Sequence, residues 1–218
     1  MNDPHRGQPL VHAGSPLDEC RAAVIMVHGR NASPASILEL APRLACSSCA
    51  YLAPTAAGRT WYPVSFLSEI EKNEPNLTSA LGVLEALVAD LGSKGVPLSR
   101  IILLGFSQGA CLAAEFARRR PARYGGIVVF SGGLIGPPGT SWYPGDPGDR
   151  AGSFDGTPIF LGCSDVDAHV PKFRVEESAR VFSGMGAEVT ARIYPGMGHT
   201  VNDDEIAHAQ AIVARAIG

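Results

Sequence analysis

A serine hydroxyl becomes an effective nucleophile when a base takes its proton and a carboxylate orients that base. This chain carries the three parts in an order that suits the chemistry. Ser107 stands in Gly105-Phe106-Ser107-Gln108-Gly109, a Gly-x-Ser-x-Gly pattern. Downstream lie Asp165 and Asp167, in Cys163-Ser164-Asp165-Val166-Asp167-Ala168-His169. His199 follows, after Tyr194-Pro195-Gly196-Met197-Gly198. The chemistry predicted is acyl transfer to Ser107 and then hydrolysis, with His199 acting first as base and then as acid.

Such residues need elements that bring them together. Ile101-Ile102-Leu103-Leu104 reads as a buried strand, and the residues from Ala110 to Ala117 read as a helix. Strand, sharp turn on serine and helix form the context of a nucleophile elbow. Gly105 and Gly109 then have a steric task, because a Cβ at either position would collide where strand and helix approach. The pentapeptide alone is weak evidence in a chain with 25 glycines, since an ordinary Gly-rich strand-to-helix turn has the same composition. Both the acid and the histidine, however, also follow predicted strands. In open α/β sheets, chemistry collects at the carboxyl ends of the strands.

The rest of the chain alternates in the same way. Ala22 to Val27 is a continuous apolar run, as in a strand buried on both faces. Ser33-Pro34 is an N-cap followed by proline, and predicts a helix reaching about residue 44. Strands are expected at 49–53, 126–130, 157–162 and 187–194, and helices at 77–91, 171–185 and 203–217. This alternation predicts an α/β protein with a parallel sheet and helices on both faces. Residues 1–21 read as a peripheral N-terminal arm or edge hairpin, within a single domain spanning 1–218. Two aperiodic stretches remain. One, 55–76, carries Trp61, Tyr62, Phe66 and Leu67; the other, 131–156, carries Trp142 and Tyr143.

Six histidines are present. His5 and His12 fall in the arm and His208 in the last helix. His28 ends a strand and reads as structural. His169 follows the acid loop and is a candidate pocket or metal residue. His199, in a Gly-rich loop after a strand, is the best base.

Taken together, His28-Gly29, the Ser107 pentapeptide, Ser131-Gly132-Gly133, Asp167-Ala168-His169-Val170-Pro171 and Gly196-Met197-Gly198-His199 resemble the phospholipase/carboxylesterase family. These are small α/β-hydrolases similar to acyl-protein thioesterases and bacterial carboxylesterases. The resemblance covers about residues 22–217 and implies an α/β-hydrolase fold with a minimal cap. It implies a triad of Ser107, Asp167 and His199. Asp167 matches the catalytic acid of the family's Asp-Pro-x-Val-Pro loop, with Ala168 in place of proline. Asp165 is the competing acid, or else a brace for the loop. One oxyanion-hole donor is expected at the backbone N–H of Gln108, next after the nucleophile, and a second from the loop after the His28 strand. The resemblance places the second at Arg30, where the family usually has leucine. The Arg30 side chain then either adds a cation at the pocket mouth or points to solvent. Trp61, Tyr62, Phe66 and Leu67 are candidates for an apolar substrate wall, or simply cover the core edge.

The function expected is a serine esterase of the carboxylesterase or lysophospholipase kind, acting on small-molecule esters, with no cofactor and no metal. Alternatives are an acyl-thioesterase, a dienelactone-type hydrolase or acyltransferase, and a non-catalytic ligand-binding relative. Composition is compatible: 45% of the 218 residues are hydrophobic, 18% are charged, and the net charge is −3. That charge leaves no footprint for nucleic acid. No run of about 18 apolar residues exists for a membrane span, and no secretory h-region is visible. Five cysteines, an odd number, predict free thiols in a reducing, cytoplasmic setting. Cys46-Ser47-Ser48-Cys49 is expected as small packing residues rather than a redox or metal pair. Asn31-Ala32-Ser33 and Asn76-Leu77-Thr78 match a glycosylation pattern but carry no weight without a secretory signal. Monomer and homodimer are both compatible with the sequence.

Overall fold

The computed structural model describes residues 3–142 and 152–218. Tyr143, one of the two aromatics in the 131–156 stretch, lies outside the described residues.

Among the described residues, seven strands form one sheet in the order β1-β3-β2-β4-β5-β6-β7. They are β1 (Leu10–Gly14), β2 (Ala22–Val27), β3 (Cys49–Pro54), β4 (Ile101–Phe106), β5 (Gly126–Phe130), β6 (Pro158–Ser164) and β7 (Glu188–Tyr194). Among these strands β1 alone is antiparallel to its neighbour, and the other described pairs are parallel. The continuous apolar runs follow from this, because all six residues of β2 are buried. Alternate side chains go to opposite faces. Ala23, Ile25 and Val27 join the core under α2 (Asn76–Ser93), α3 (Gln108–Arg119) and α4 (Lys172–Gly184). Ala22, Val24 and Met26 join the core under α1 (Pro34–Leu38) and α5 (Asp203–Ile217). The sheet is thus sandwiched between two helical layers, as the α/β-hydrolase fold requires.

Two findings differ from expectation, and two more add to it. Helix α1 is short: it ends at Leu38, and a separate 3₁₀ turn follows at Pro42–Leu44. Pro42 has no N–H to give to Leu38 and its ring crowds that carbonyl, so the helix cannot run through it. Cys46 and Cys49 form a disulfide, their Cα atoms brought to 5.5 Å by the intervening turn, while Cys20, Cys111 and Cys163 are free. This corrects the packing-residue reading of that pair, while the free thiols expected from the odd count are those of Cys20, Cys111 and Cys163.

The N-terminal segment also does more than lie on the surface. Besides supplying edge strand β1, it buries His5, whose Nδ1 accepts the Ala57 N–H at 3.0 Å and whose Nε2 donates to the Trp61 carbonyl at 2.9 Å. The ring thereby pins the start of the long loop between β3 and α2. Finally, that loop is irregular but well anchored. Trp61 and Tyr62 are fully buried, and the Trp61 indole N–H donates to the His28 carbonyl at 2.8 Å.

Candidate active site

Ser107 is where β4 stops and α3 starts, and it occupies the left-handed region with φ 55°. A non-glycine residue held there is strained, and the surroundings show what holds it. A Cβ on Gly109 would strike the carbonyl oxygens of Val27 and His28, and one on Gly105 would strike the backbone of Gly109 and Ala110. Helix α3 therefore leaves the sheet hard against β2 and β4. The turn pushes the Ser107 side chain out at the carboxyl end of the sheet.

His199 arrives on the loop between β7 and α5. Its Nε2 lies 2.8 Å from Ser107 Oγ and its Nδ1 lies 2.7 Å from Asp167 Oδ2. The ring is held between Phe106 (centroids 4.9 Å apart) and His169 (4.7 Å). Asp167 follows β6. Its other oxygen, Oδ1, accepts the backbone N–H groups of His169 at 2.8 Å and Val170 at 2.9 Å. Burial alone would raise the Asp167 carboxyl, but the His199 imidazole and these two N–H groups outweigh it and hold it below its ordinary value. A carboxylate that stays ionised fixes the proton of His199 on Nδ1 and leaves Nε2 to accept from the serine.

Asp165 faces elsewhere. Its Oδ1 accepts the Gly196 N–H at 2.8 Å, tying the acid loop to the loop that carries His199. The buried thiols of Cys111 and Cys163 are both pushed up to about 12, first of all by burial, so neither is a nucleophile near neutrality.

Gln108 and Arg30 line the same cavity as Ser107. Among the described residues, neither the Gln108 nor the Arg30 N–H has a hydrogen-bond partner. The Gly29 carbonyl accepts from the His28 ring at 2.8 Å and from Ala32 N–H at 3.2 Å, which turns the trans-related Arg30 N–H the opposite way. Gly29 itself packs against Ser107, an added Cβ falling 3.3 Å from the serine's own.

A cavity of about 540 Å³ opens over Ser107. Tyr62 and Phe66 line it together with Cys111, Val170 and Phe106. Trp61 and Leu67 do not. Trp61 is in the core, and Leu67, half-buried, packs against the core from outside. Of the four aromatic-loop candidates, the structure therefore brings two to the site.

Comparison with known proteins bears directly on this geometry. The family model described as phospholipase/carboxylesterase matches residues 11–217. The chain belongs to the phospholipase/carboxylesterase family. Acyl-protein thioesterase 1 of Eremothecium gossypii is 29% identical over 179 residues, which is 75% of this chain and 73% of that protein. The crystal structure of a phospholipase/carboxylesterase from Dyadobacter fermentans superposes with a TM-score of 0.88 at 36% identity, covering 95% of this chain and 97% of the other. Arabidopsis thaliana SOBER1 superposes at a TM-score of 0.72 with 19% identity, over 90% of this chain and 99% of that one, a likeness of fold. This family member is accordingly an ester hydrolase of the α/β-hydrolase fold.

Its departure from the family's usual sequence at Arg30 has a visible consequence. The guanidinium neither hangs free nor points away. It donates to the carbonyls of Tyr62 (3.0 Å), Pro63 (2.9 Å) and Val64 (2.8 Å), clamping the pocket wall. Gln108 clamps the same loop from the other side. Its Oε1 accepts the Trp61 N–H at 2.9 Å and its Nε2 donates to the Tyr62 carbonyl at 2.8 Å. Sequence reasoning missed both clamps, because backbone carbonyls leave no mark on residue identity. Among the described residues no group of three or more His, Cys, Asp or Glu side chains is placed to hold a metal. No described helix is long and apolar enough to cross a membrane.

Proposed function

We propose that this ester hydrolase works through an acyl-enzyme on Ser107, with His199 as proton carrier and Asp167 as its orienting carboxylate. The observation that supports this most is the unbroken chain Ser107 Oγ–His199 Nε2–His199 Nδ1–Asp167 Oδ2, with links of 2.8 and 2.7 Å.

The steps follow from that chain. Ser107 Oγ attacks the carbonyl carbon and gives its proton to His199 Nε2. The new oxyanion is met by the N–H groups of Arg30 and Gln108, each worth about 10²–10³ in turnover. The tetrahedral species collapses, His199 returns the proton to the departing oxygen or sulfur, and the acyl group stays on Ser107. Water then repeats the sequence and frees the acid. Carboxylic esters are the expected substrates. Acyl thioesters belong to the proposal as well, on the likeness to Acyl-protein thioesterase 1.

The test is hydrolysis of a short p-nitrophenyl ester by wild type and Ser107→Ala. Removing the nucleophile should lower kcat by about 10⁴-fold or more. Turnover at the wild-type rate would end the reading. Ranking aryl esters, lysophospholipids and acyl thioesters by kcat/KM then names the preferred substrate.

A further inference from the structure

The cavity over Ser107 has two characters. Its inner part, at Tyr62, Phe66, Cys111 and Val170, is buried and mainly apolar. Its rim carries Arg30, Asn31 and His169, all exposed. No aspartate or glutamate is among the lining residues, although acidic residues outnumber Lys and Arg in the whole chain by 21 to 18. Arg30 has no ion-pair partner among the described residues. Its three bonds go to neutral carbonyls, which hold a cation in place without cancelling its charge. A guanidinium has five N–H donors, so two remain for a ligand. His169 stands against the ring of His199, their centroids 4.7 Å apart.

We propose that the Arg30 guanidinium, fixed on the 62–64 carbonyls and sharing the cavity rim with His169, makes this rim an anion subsite, so that preferred substrates are esters or thioesters carrying a carboxylate or phosphate beside an apolar acyl portion. The proposal rests on the esterase reading above and specifies its substrate class. A preorganised cation favours such a substrate because neither partner is reordered on binding. The volume of about 540 Å³ leaves room for both portions.

The experiment compares three thioesters: butyryl N-acetylcysteamine, which is neutral; butyryl 3-mercaptopropionate, anionic on the leaving side; and succinyl N-acetylcysteamine, anionic on the acyl side. For each enzyme, the ratio of kcat/KM for an anionic to the neutral thioester is read, and ratios are compared between enzymes. This cancels the intrinsic reactivities. Arg30→Gln removes the charge while keeping an amide that can bond a carbonyl; Arg30→Lys keeps the charge and weakens the clamp. Arg30→Gln should lower the ratio about fivefold for at least one anionic substrate, the value of a contact ion pair in water. Arg30→Lys should keep most of it. In the wild type, 0.5 M salt should shrink the same ratio, a readout that survives if a variant fails to fold. The affected arm tells which side of the scissile bond faces Arg30. Equal ratios in wild type and Arg30→Gln for both anionic thioesters, with no salt effect, overturn the subsite and leave the esterase reading intact. Failure of the wild type to cleave any of the three removes the thioesterase part of the function and the subsite with it.

Discussion

His28 grips the carbonyl of its own neighbour Gly29. Its Nε2 accepts the Ala56 N–H at 3.2 Å, so the ring proton sits on Nδ1 and is donated to the Gly29 oxygen at 2.8 Å. Burial lowers the pKa of His28 and keeps the ring neutral. Through one peptide plane this bond fixes the direction of the Arg30 N–H, the second oxyanion donor of the proposed mechanism. His28 is thus a positioning residue. His28→Gln and His28→Ala should each lower kcat about tenfold or more, a fraction of what losing an oxyanion donor outright costs, with KM changing little. Steady-state kinetics on a neutral ester checks the split. A variant that lowers stability but leaves kcat intact would reduce His28 to packing.

Asp167 and Asp165 are two residues apart and should behave differently. Asp167→Asn keeps the shape but favours the wrong imidazole tautomer, and should reduce kcat about 10⁴-fold. Asp165→Asn weakens one bond, to Gly196 N–H, and should cost about 1 kcal/mol of stability with kcat within tenfold of wild type. Kinetics and thermal melts on both variants check this. Exchanged phenotypes would move the acid to Asp165 and leave the rest of the mechanism standing.

These sites are unequally legible in the sequence. Ser107 and His199 declare themselves because each follows a run of β-formers, and strand ends are where α/β sheets gather chemistry. The layered fold is legible for the same reason: period and alternation are local. Trp61 reads as pocket wall or core cover and turns out to be core, a choice left open because an irregular loop has no period from which burial can be inferred. The Arg30 clamp and the His5 anchor are hidden because their partners are backbone groups, which every residue carries. The early end of α1 is written in the chain at Pro42, beside a stronger N-cap signal at Ser33. The Cys46–Cys49 pairing depends on turn geometry that spacing alone does not fix.

Two glycines should respond in opposite directions to the same change. Gly109→Ala forces a methyl into the carbonyls of Val27 and His28, backbone atoms at and just beyond the end of β2 that cannot swing aside. The elbow should break, with a loss above about 4 kcal/mol or no soluble protein. Gly82 lies exposed within α2, where an added Cβ meets nothing within 4 Å. Gly82→Ala should gain about 0.5–1 kcal/mol through helix propensity. Urea unfolding of the two variants beside wild type reads both signs, and a stable Gly109→Ala would refute the steric account of the elbow.

Glu205 gives the protein a stability that should fall as pH rises. The side chain is fully buried at the first turn of α5; Oε2 accepts the Asn202 N–H at 2.9 Å, while Oε1 has no partner among the described residues. Burial pushes its pKa up to about 7, from an ordinary 4.5, against the effect of the Asn202 bond and with a small push from Asp204. The folded state therefore holds the proton more tightly than the unfolded one. The associated stability is fully present below the unfolded value and is lost as pH climbs through the folded one, by at most about 3 kcal/mol. Glu205→Gln keeps an oxygen for the Asn202 N–H and carries no charge at any pH. At pH 8 it should unfold about 2–8 °C above wild type, and at pH 5 the difference should shrink toward zero. Calorimetry across this range decides it, and parallel Tm curves for the two proteins would mean that Glu205 is ionised at no cost.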